Sequence, residues 1–291
     1  MQRGGQGPGE MSEGTAAGSA GGCTIGVMAK APIPGRAKTR LTPLLTPEEA
    51  AALSAAFLRD VTENVRLAAR QAPIQGCIAY APAGAEALFD GHLAEGTRLV
   101  LADGSLLLPA GLPPGVQAGL PAGVSAGLAP GVQGFGRCLL HAIQTMLDDG
   151  AHAACVLNSD SPTLPTSLLV QAARLLLEQP DRVVLGPAED GGYYLLGMSA
   201  PHAHLFEDVA WSTDTVAEET RARARASALG VELVELAPWY DVDDRDALLR
   251  LIEEISTPAT GTALAPYTAP VTAACLARIG LRRAALSLAA Q

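Results

Sequence analysis

Four cations fall within eleven residues near the start of this chain: Lys30, Arg36, Lys38 and Arg40. Pro32 and Pro34 stiffen the segment and Gly35 lets it turn, which gathers the charges into one compact loop. Such a loop suits a diphosphate or triphosphate, because phosphate oxygens take charge-assisted hydrogen bonds from ammonium, guanidinium and loop N–H groups. Gly35 and Thr39 lie inside the run and count with the phosphate-binding residues. Lys30 and Lys38 are the only lysines of the chain, which elsewhere carries its positive charge on arginine. A sequence that avoids lysine everywhere else has a use for an ammonium here. A solvated basic loop is the bland alternative, and a Walker A loop is excluded because GxxxxGK[ST] is absent.

Three acidic clusters follow. In Asn158-Ser159-Asp160-Ser161-Pro162 the carboxylate of Asp160 could hold Mg²⁺ against phosphate oxygens, or Asp160 and Ser161 could shape a turn and cap the next helix. The residues alone leave both open. In Glu189-Asp190-Gly191-Gly192 the glycines allow close backbone approach to a ligand, but Asp-Gly is equally a tight-turn signal. In Tyr240-Asp241-Val242-Asp243-Asp244-Arg245-Asp246, Asp241 and Asp243 alternate along an extended segment and share a face, so either could be a second metal ligand. Asp244 reads as a helix cap and Asp246 as a first-turn acid favouring the helix dipole.

The elements that must position these clusters alternate between short apolar runs and longer helical patterns, as in a mostly parallel sheet covered by helices. Strands are expected at 24–29, 75–81, 98–101, 153–157, 182–186, 193–198 and 231–236. Helices are expected from Thr46-Pro47-Glu48-Glu49 through Arg70, at 137–149, from Pro165, at 213–229 and at 244–255. The basic loop then follows the first strand, at the carboxyl edge where open α/β sheets bind ligands. The fold class is α/β, a single three-layer α/β/α domain over 23–256. Between Leu112 and Phe135 an eight-residue motif rich in Pro and Gly occurs three times, too few copies for a solenoid, so 109–135 reads as a surface insertion. Residues 1–22 read as a disordered Gly/Ser/Ala leader without a secretory pattern, and 257–291 as an accessory tail with a possible helix over 271–290.

Net charge is −10, from 30 acidic and 20 basic residues, so a nucleic acid partner, which needs a broad basic face, is not expected. The five cysteines form no CxxC pair and fit free thiols in a reducing cytoplasm. The apolar stretch after Thr257 is broken by Pro258, Pro266, Pro270 and Gly280, which argues against a membrane span.

Taken in order, Met28-Ala29-Lys30-Ala31-Pro32, Gly35-Arg36-Ala37-Lys38-Thr39-Arg40-Leu41, Asp160-Ser161-Pro162, Gly186-Pro187-Ala188-Glu189-Asp190-Gly191-Gly192-Tyr193-Tyr194, Trp211-Ser212-Thr213 and Asp241-Val242-Asp243 resemble one family. It is the GT-A-like transferases known as radical-SAM/selenodomain-associated transferases, also called arsenosugar-biosynthesis glycosyltransferases. The family is similar to the molybdenum cofactor nucleotidyltransferases and the 2-phospholactate guanylyltransferases. The resemblance spans roughly Thr24 to Glu254. It implies a nucleotide-diphospho-sugar transferase fold, with Lys30, Arg36, Lys38 and Arg40 on nucleotide phosphates, Mg²⁺ or Mn²⁺ on Asp160 and Asp243, and Glu189 and Asp190 with Gly191 and Gly192 facing the acceptor. Two departures stand out: Asn158 replaces a common glycine, and Gln133 to Leu139 looks like a compressed form of a longer family motif containing Arg137.

The expected activity is Mg²⁺-dependent transfer of a nucleotidyl group from a nucleoside triphosphate to a small phosphorylated acceptor, with Lys30, Lys38 and Asp160 as the catalytic residues. Glycosyl transfer from a nucleotide-sugar is the alternative, and nucleotide binding without catalysis a third possibility. None of the five histidines lies in a motif, so no histidine base is expected.

Overall fold

Seven short strands form the central sheet, and their side chains alternate between its two faces. The structure is a computed structural model that describes residues 21–109, 125–129, 131–226, 230–257 and 264–280. The sheet contains β1 (Cys23–Ala29), β2 (Ile74–Tyr80), β3 (Arg98–Leu101), β6 (Ala153–Asn158), β7 (Arg182–Pro187), β8 (Tyr193–Met198) and β9 (Glu232–Glu235), in the spatial order β3-β2-β1-β6-β8-β7-β9. All pairings are parallel except those of β8, which runs against β6 and β7. This is the mostly parallel sheet the sequence implied. The carboxyl ends of β1, β6, β7 and β9 and the β7–β8 turn consequently share one edge.

Among the described residues six helices cover the faces: α1 (Pro47–Ala68), α2 (Phe135–Asp148), α3 (Thr166–Glu178), α4 (Val216–Ala226), α5 (Arg245–Ser256) and α6 (Pro270–Ile279). α1 starts as its sequence signals. The Thr46 hydroxyl accepts the Glu49 N–H at 3.2 Å and the Glu49 carboxylate accepts the Thr46 N–H at 2.8 Å, a reciprocal capping box with Pro47 in the first turn. One core joins Ile25 and Val27 of β1 with Leu53 and Phe57 of α1, Leu168 of α3 and Leu248 of α5. The other joins Val156 of β6 and Leu196 of β8 with Leu139 and Ile143 of α2. Among the described residues no helix is long and apolar enough to cross a membrane.

Several boundaries differ from the sequence reading. α2 begins at Phe135 rather than 137, although Gly134 offers it no side-chain cap. α6 stops at Ile279 because Gly280 takes a left-handed conformation (φ 76°) and ends the helix; the rest of the expected 271–290 helix lies outside the described residues. A short parallel pair, β4 (Leu107–Pro109) with β5 (Ser125–Leu128), has no counterpart in the expected strands. Residues 110–124 of the repeat lie outside the described residues, as do 1–20 of the expected leader. The end of the repeat is drawn inward: Val132 is buried in the second core and bridges Glu207.

Candidate active site

The basic loop leaves β1 already ordered. Arg36 and Ala37 both donate their N–H to the Ile33 carbonyl at 3.0 Å, and Leu41 donates to the Lys38 carbonyl at 2.9 Å within the short helical turn Thr39–Leu41. Ala31, Ala37 and Leu41 are buried and pin the loop to the core, while Lys30, Arg36 and Arg40 remain exposed. Gly35 (φ 74°) supplies the left-handed bend that the sequence implied. The three exposed cations line a cavity of about 520 Å³, together with Lys38, Asp160 and Asp243.

Lys38 is turned onto the two carboxylates. Its residue is also left-handed (φ 49°, ψ 41°), an unusual conformation for a lysine. The ammonium Nζ lies 2.6 Å from Asp160 Oδ1, 3.2 Å from Asp243 Oδ1 and 2.6 Å from the Val242 carbonyl, and it sits 5.0 Å from the ring centroid of Phe57 on α1. Two of these contacts, to the Val242 carbonyl and Asp243, are hydrogen bonds, and the third, to Asp160, is an ion pair. Its side chain is 5 % exposed, whereas those of Asp160 and Asp243 are 33 % and 41 % exposed. Arg40 reaches the other oxygen of Asp243 at 3.7 Å.

The two acidic segments are tied together independently of Lys38. Val242 donates its N–H to the Asp160 carbonyl at 2.8 Å, and the buried Ser161 hydroxyl donates to the Tyr240 carbonyl at 2.8 Å. Turn shaping in Asn158-Ser159-Asp160-Ser161 therefore belongs to Ser161, and Asp160 is left facing the cavity. Asp244 caps α5, its Oδ1 accepting the Ala247 N–H at 2.9 Å, as its position implied. Asp241 is half-buried. Burial first, then the neighbouring carboxylates of Asp190, Asp243 and Asp160, push its carboxyl up to about 6.

The β7–β8 turn stands at the same edge but outside the residues lining the cavity. Glu189 is engaged by the Arg250 guanidinium, which also lies 3.8 Å from the Tyr240 ring centroid. Asp190 Oδ1 accepts the Gly192 N–H at 2.9 Å and closes the turn. Gly191 (φ 93°) packs so closely on the neighbouring chain that a Cβ would lie 1.9 Å from the Asp214 carbonyl oxygen. The glycine pair thus permits a close backbone approach, and the partner is the chain itself.

The cavity also has an apolar wall that the sequence reading did not include: Ala79 and Tyr80 at the end of β2, Ala81 just after it, and Phe135 and Cys138 on α2. Phe135 is 49 % exposed and packs edge-to-face on Trp211 at 5.9 Å. Gly136 makes room for that indole, since a Cβ would meet it at 2.6 Å. Ser212, left-handed at φ 67°, joins the lining. The Trp211-Ser212-Thr213 text in the resemblance was the available signal.

The donor set fits a hard divalent cation. Asp160 and Asp243 reach one common point, and Mg²⁺ or Mn²⁺ takes one or two carboxylates and completes its shell with water and phosphate. Among the described residues no group of three or more His, Cys, Asp or Glu is placed to hold a metal, so further ligands would have to come from substrate and solvent.

Comparison with known proteins adds the following. The bacterial family described as "Uncharacterized protein conserved in bacteria (DUF2064)" matches residues 114–213, a span that includes Asp160 and the β7–β8 turn but neither the basic loop nor Asp243. No curated protein sequence matches the chain. A crystal structure from Desulfovibrio desulfuricans G20, provisionally named a nucleotide-diphospho-sugar transferase, is 24 % identical with a TM-score of 0.64, over 92 % of this chain and 97 % of that one. Rv0371c from Mycobacterium tuberculosis H37Rv, solved as a complex with manganese, is 17 % identical over 81 % of this chain and 100 % of its own, with a TM-score of 0.39. Mannose-1-phosphate geranyltransferase from Thermus thermophilus is 14 % identical over 77 % of this chain and 74 % of its own, with a TM-score of 0.34. Likenesses as loose as the last two do not bear on the site. The chain shares the α/β fold of nucleotide-diphospho-sugar transferase structures.

Proposed function

We propose that this protein is a divalent-metal-dependent transferase that uses a nucleotide donor, and that it moves a nucleotidyl group from a nucleoside triphosphate to a small phosphorylated acceptor. One observation carries the reading: three exposed cations, Lys30, Arg36 and Arg40, and two carboxylates, Asp160 and Asp243, open onto a single cavity of about 520 Å³. A cavity of that size accommodates a nucleotide.

In this reading an oxygen of the acceptor phosphate attacks the α-phosphorus of the donor, the bond from that phosphorus to the β-bridging oxygen breaks, and pyrophosphate leaves. Asp160 and Asp243 would hold a divalent cation, which would supply Lewis-acid stabilisation of the phosphate oxygens. Lys30, Arg36 and Arg40 neutralise the charge that gathers on the leaving pyrophosphate, so catalysis comes from positioning and electrostatics and needs no histidine base. The apolar wall of Tyr80 and Phe135 takes the nucleoside end. The β7–β8 turn, Glu189 to Gly192, is the acceptor side.

Glycosyl transfer from a nucleotide-sugar is the second reading. It is favoured by the resemblance to arsenosugar-type glycosyltransferases and by the name of the Desulfovibrio protein that shares the fold. Incubating the purified protein with Mg²⁺, each nucleoside triphosphate and a set of phosphorylated acceptors, while following pyrophosphate, tests the first reading. Silence with every triphosphate, together with nucleoside diphosphate release from nucleotide-sugars, replaces the first reading by the second. In either case Asp160→Asn abolishes metal-dependent turnover; wild-type turnover in that variant sinks the metal assignment.

A further inference from the structure

Lys38 carries the residue type expected on phosphates, yet its ammonium sits where the two proposed metal ligands converge. The ammonium donates to the Val242 carbonyl at 2.6 Å and to Asp243 at 3.2 Å, and it is ion-paired with Asp160 at 2.6 Å. The group is almost wholly enclosed, while the two carboxylates keep about a third or more of their side chains open. Phe57 lies beneath it, and the left-handed backbone at Lys38 shows that the residue is held at both ends. A positive charge is thus built into the carboxylate pair by the chain itself.

A free divalent cation would have to displace a covalently tethered ammonium and approach against its charge. Mg²⁺ also gives up its own water reluctantly. Donor phosphates change that balance, because their oxygens can take over the hydrogen bonds of Lys38 and their negative charge compensates two cations at once. We propose that Lys38 is a tethered counter-cation that guards Asp160 and Asp243 from free divalent cations and releases them only to incoming phosphates, so that metal and donor enter together. The proposal rests on the reading of Asp160 and Asp243 as metal ligands. It assigns Lys38 two successive sets of partners, carboxylates in the empty site and phosphates in the loaded one.

The test is Mn²⁺ binding by the full chain, followed through the relaxation enhancement of water protons, with inorganic tripolyphosphate as the phosphate probe. Wild type, Lys38→Met, Lys38→Gln, Asp160→Asn and the Lys38→Met/Asp160→Asn double variant are compared after thermal unfolding has established that each is folded. Lys38→Gln keeps a long polar side chain with a donor for the Val242 carbonyl, which guards against simple collapse of the loop. The expected result is weak Mn²⁺ binding by wild type alone, binding roughly tenfold or more tighter in either Lys38 variant without tripolyphosphate, and loss of that gain in the double variant. Wild type should gain Mn²⁺ affinity when tripolyphosphate is added. If both Lys38 variants bind Mn²⁺ no better than wild type while Asp160→Asn abolishes binding in the presence of tripolyphosphate, the guard is overturned and the metal site stands. If no form of the protein binds Mn²⁺ with or without tripolyphosphate, the metal reading falls and the guard falls with it.

Discussion

The carboxylate of Asp60 accepts the backbone N–H of Thr272 at 2.6 Å, across 212 residues of sequence. Its other oxygen takes the N–H of Val271 at 3.1 Å. The two donors open α6, whose own N-cap residue, Ala269, has no capping side chain, so a residue of α1 caps the helix from outside it. Asp60→Ala leaves two N–H groups without acceptors and should cost about 1–3 kcal/mol. For a chain of this size that is a fall in Tm of roughly 2–4 °C per kcal/mol, and amide exchange should rise first in 270–279. Asp60→Asn keeps one acceptor and should lose less. Unchanged Tm and unchanged protection in the alanine variant would refute the cap.

Lys30 and Arg36 face the cavity from an exposed loop, and neither has an ion-pair partner among the described residues. Removing either charge therefore disturbs little else. Lys30→Ala and Arg36→Ala should each weaken tripolyphosphate or nucleotide binding by about five- to fiftyfold with Tm nearly unchanged, and raising salt should weaken wild-type binding as well. Titration calorimetry at two ionic strengths measures both effects. Wild-type affinity in both variants would remove the loop from the donor site.

Asp241 gives a pH-dependent signature in protein kept free of divalent cations. Its folded carboxyl is raised to about 6 from an ordinary 3.8, chiefly by burial and then by Asp190, Asp243 and Asp160. A raised acid binds its proton more tightly in the folded state than in the unfolded one, so stability falls as pH rises from about 4 through 6 and stays lower above. Asp241→Asn lacks that loss. It should be more stable than wild type at pH 7, by on the order of 1 kcal/mol after solvent screening, with the two curves converging toward pH 4. Parallel curves across the range would show that Asp241 is not held this way.

The seven strands of the central sheet were legible because each is a short run closed by Gly, Pro or a polar cluster, and which polar residues would meet at one edge was legible wherever a polar cluster follows a strand. Asp160 and Asp243 are cases of this kind. The partner of Lys38 was not legible, since an ammonium suits a phosphate or a carboxylate equally and the contact closes across 205 residues to Asp243. The apolar wall was missed for a different reason: Tyr80 read as part of a strand and Phe135 as the end of a surface insertion, and only the fold brings both to one cavity. In the β7–β8 turn the residues alone allowed a ligand or a turn; the structure shows the turn's own hydrogen bonds, Asp190 to Gly192 and the Arg250 pair to Glu189. Gly280 was a readable stop that the helical pattern beyond it obscured.

Two glycines with positive φ should respond differently to the same methyl group. At Gly35 (φ 74°) nothing lies within 4 Å of a built Cβ, so Gly35→Ala carries only the left-handed penalty of about 1–2 kcal/mol, spent within the basic loop. At Gly191 (φ 93°) the Cβ would meet the Asp214 carbonyl oxygen at 1.9 Å, and that contact is backbone, which cannot swing aside. The Gly191 carbonyl also accepts the Ala217 N–H at 2.9 Å, so pushing it away moves the start of α4 and strains the 211–215 segment that carries Ser212 at the cavity and Trp211 against Phe135. Gly191→Ala should therefore cost roughly 3 kcal/mol or more and change the Trp211 fluorescence, read in a Trp239→Phe background. Gly35→Ala should leave that fluorescence alone and affect phosphate binding instead. Equal, small losses of Tm in the two variants, with no change at Trp211, would mean that the close approach of Gly191 to Asp214 does not hold the turn.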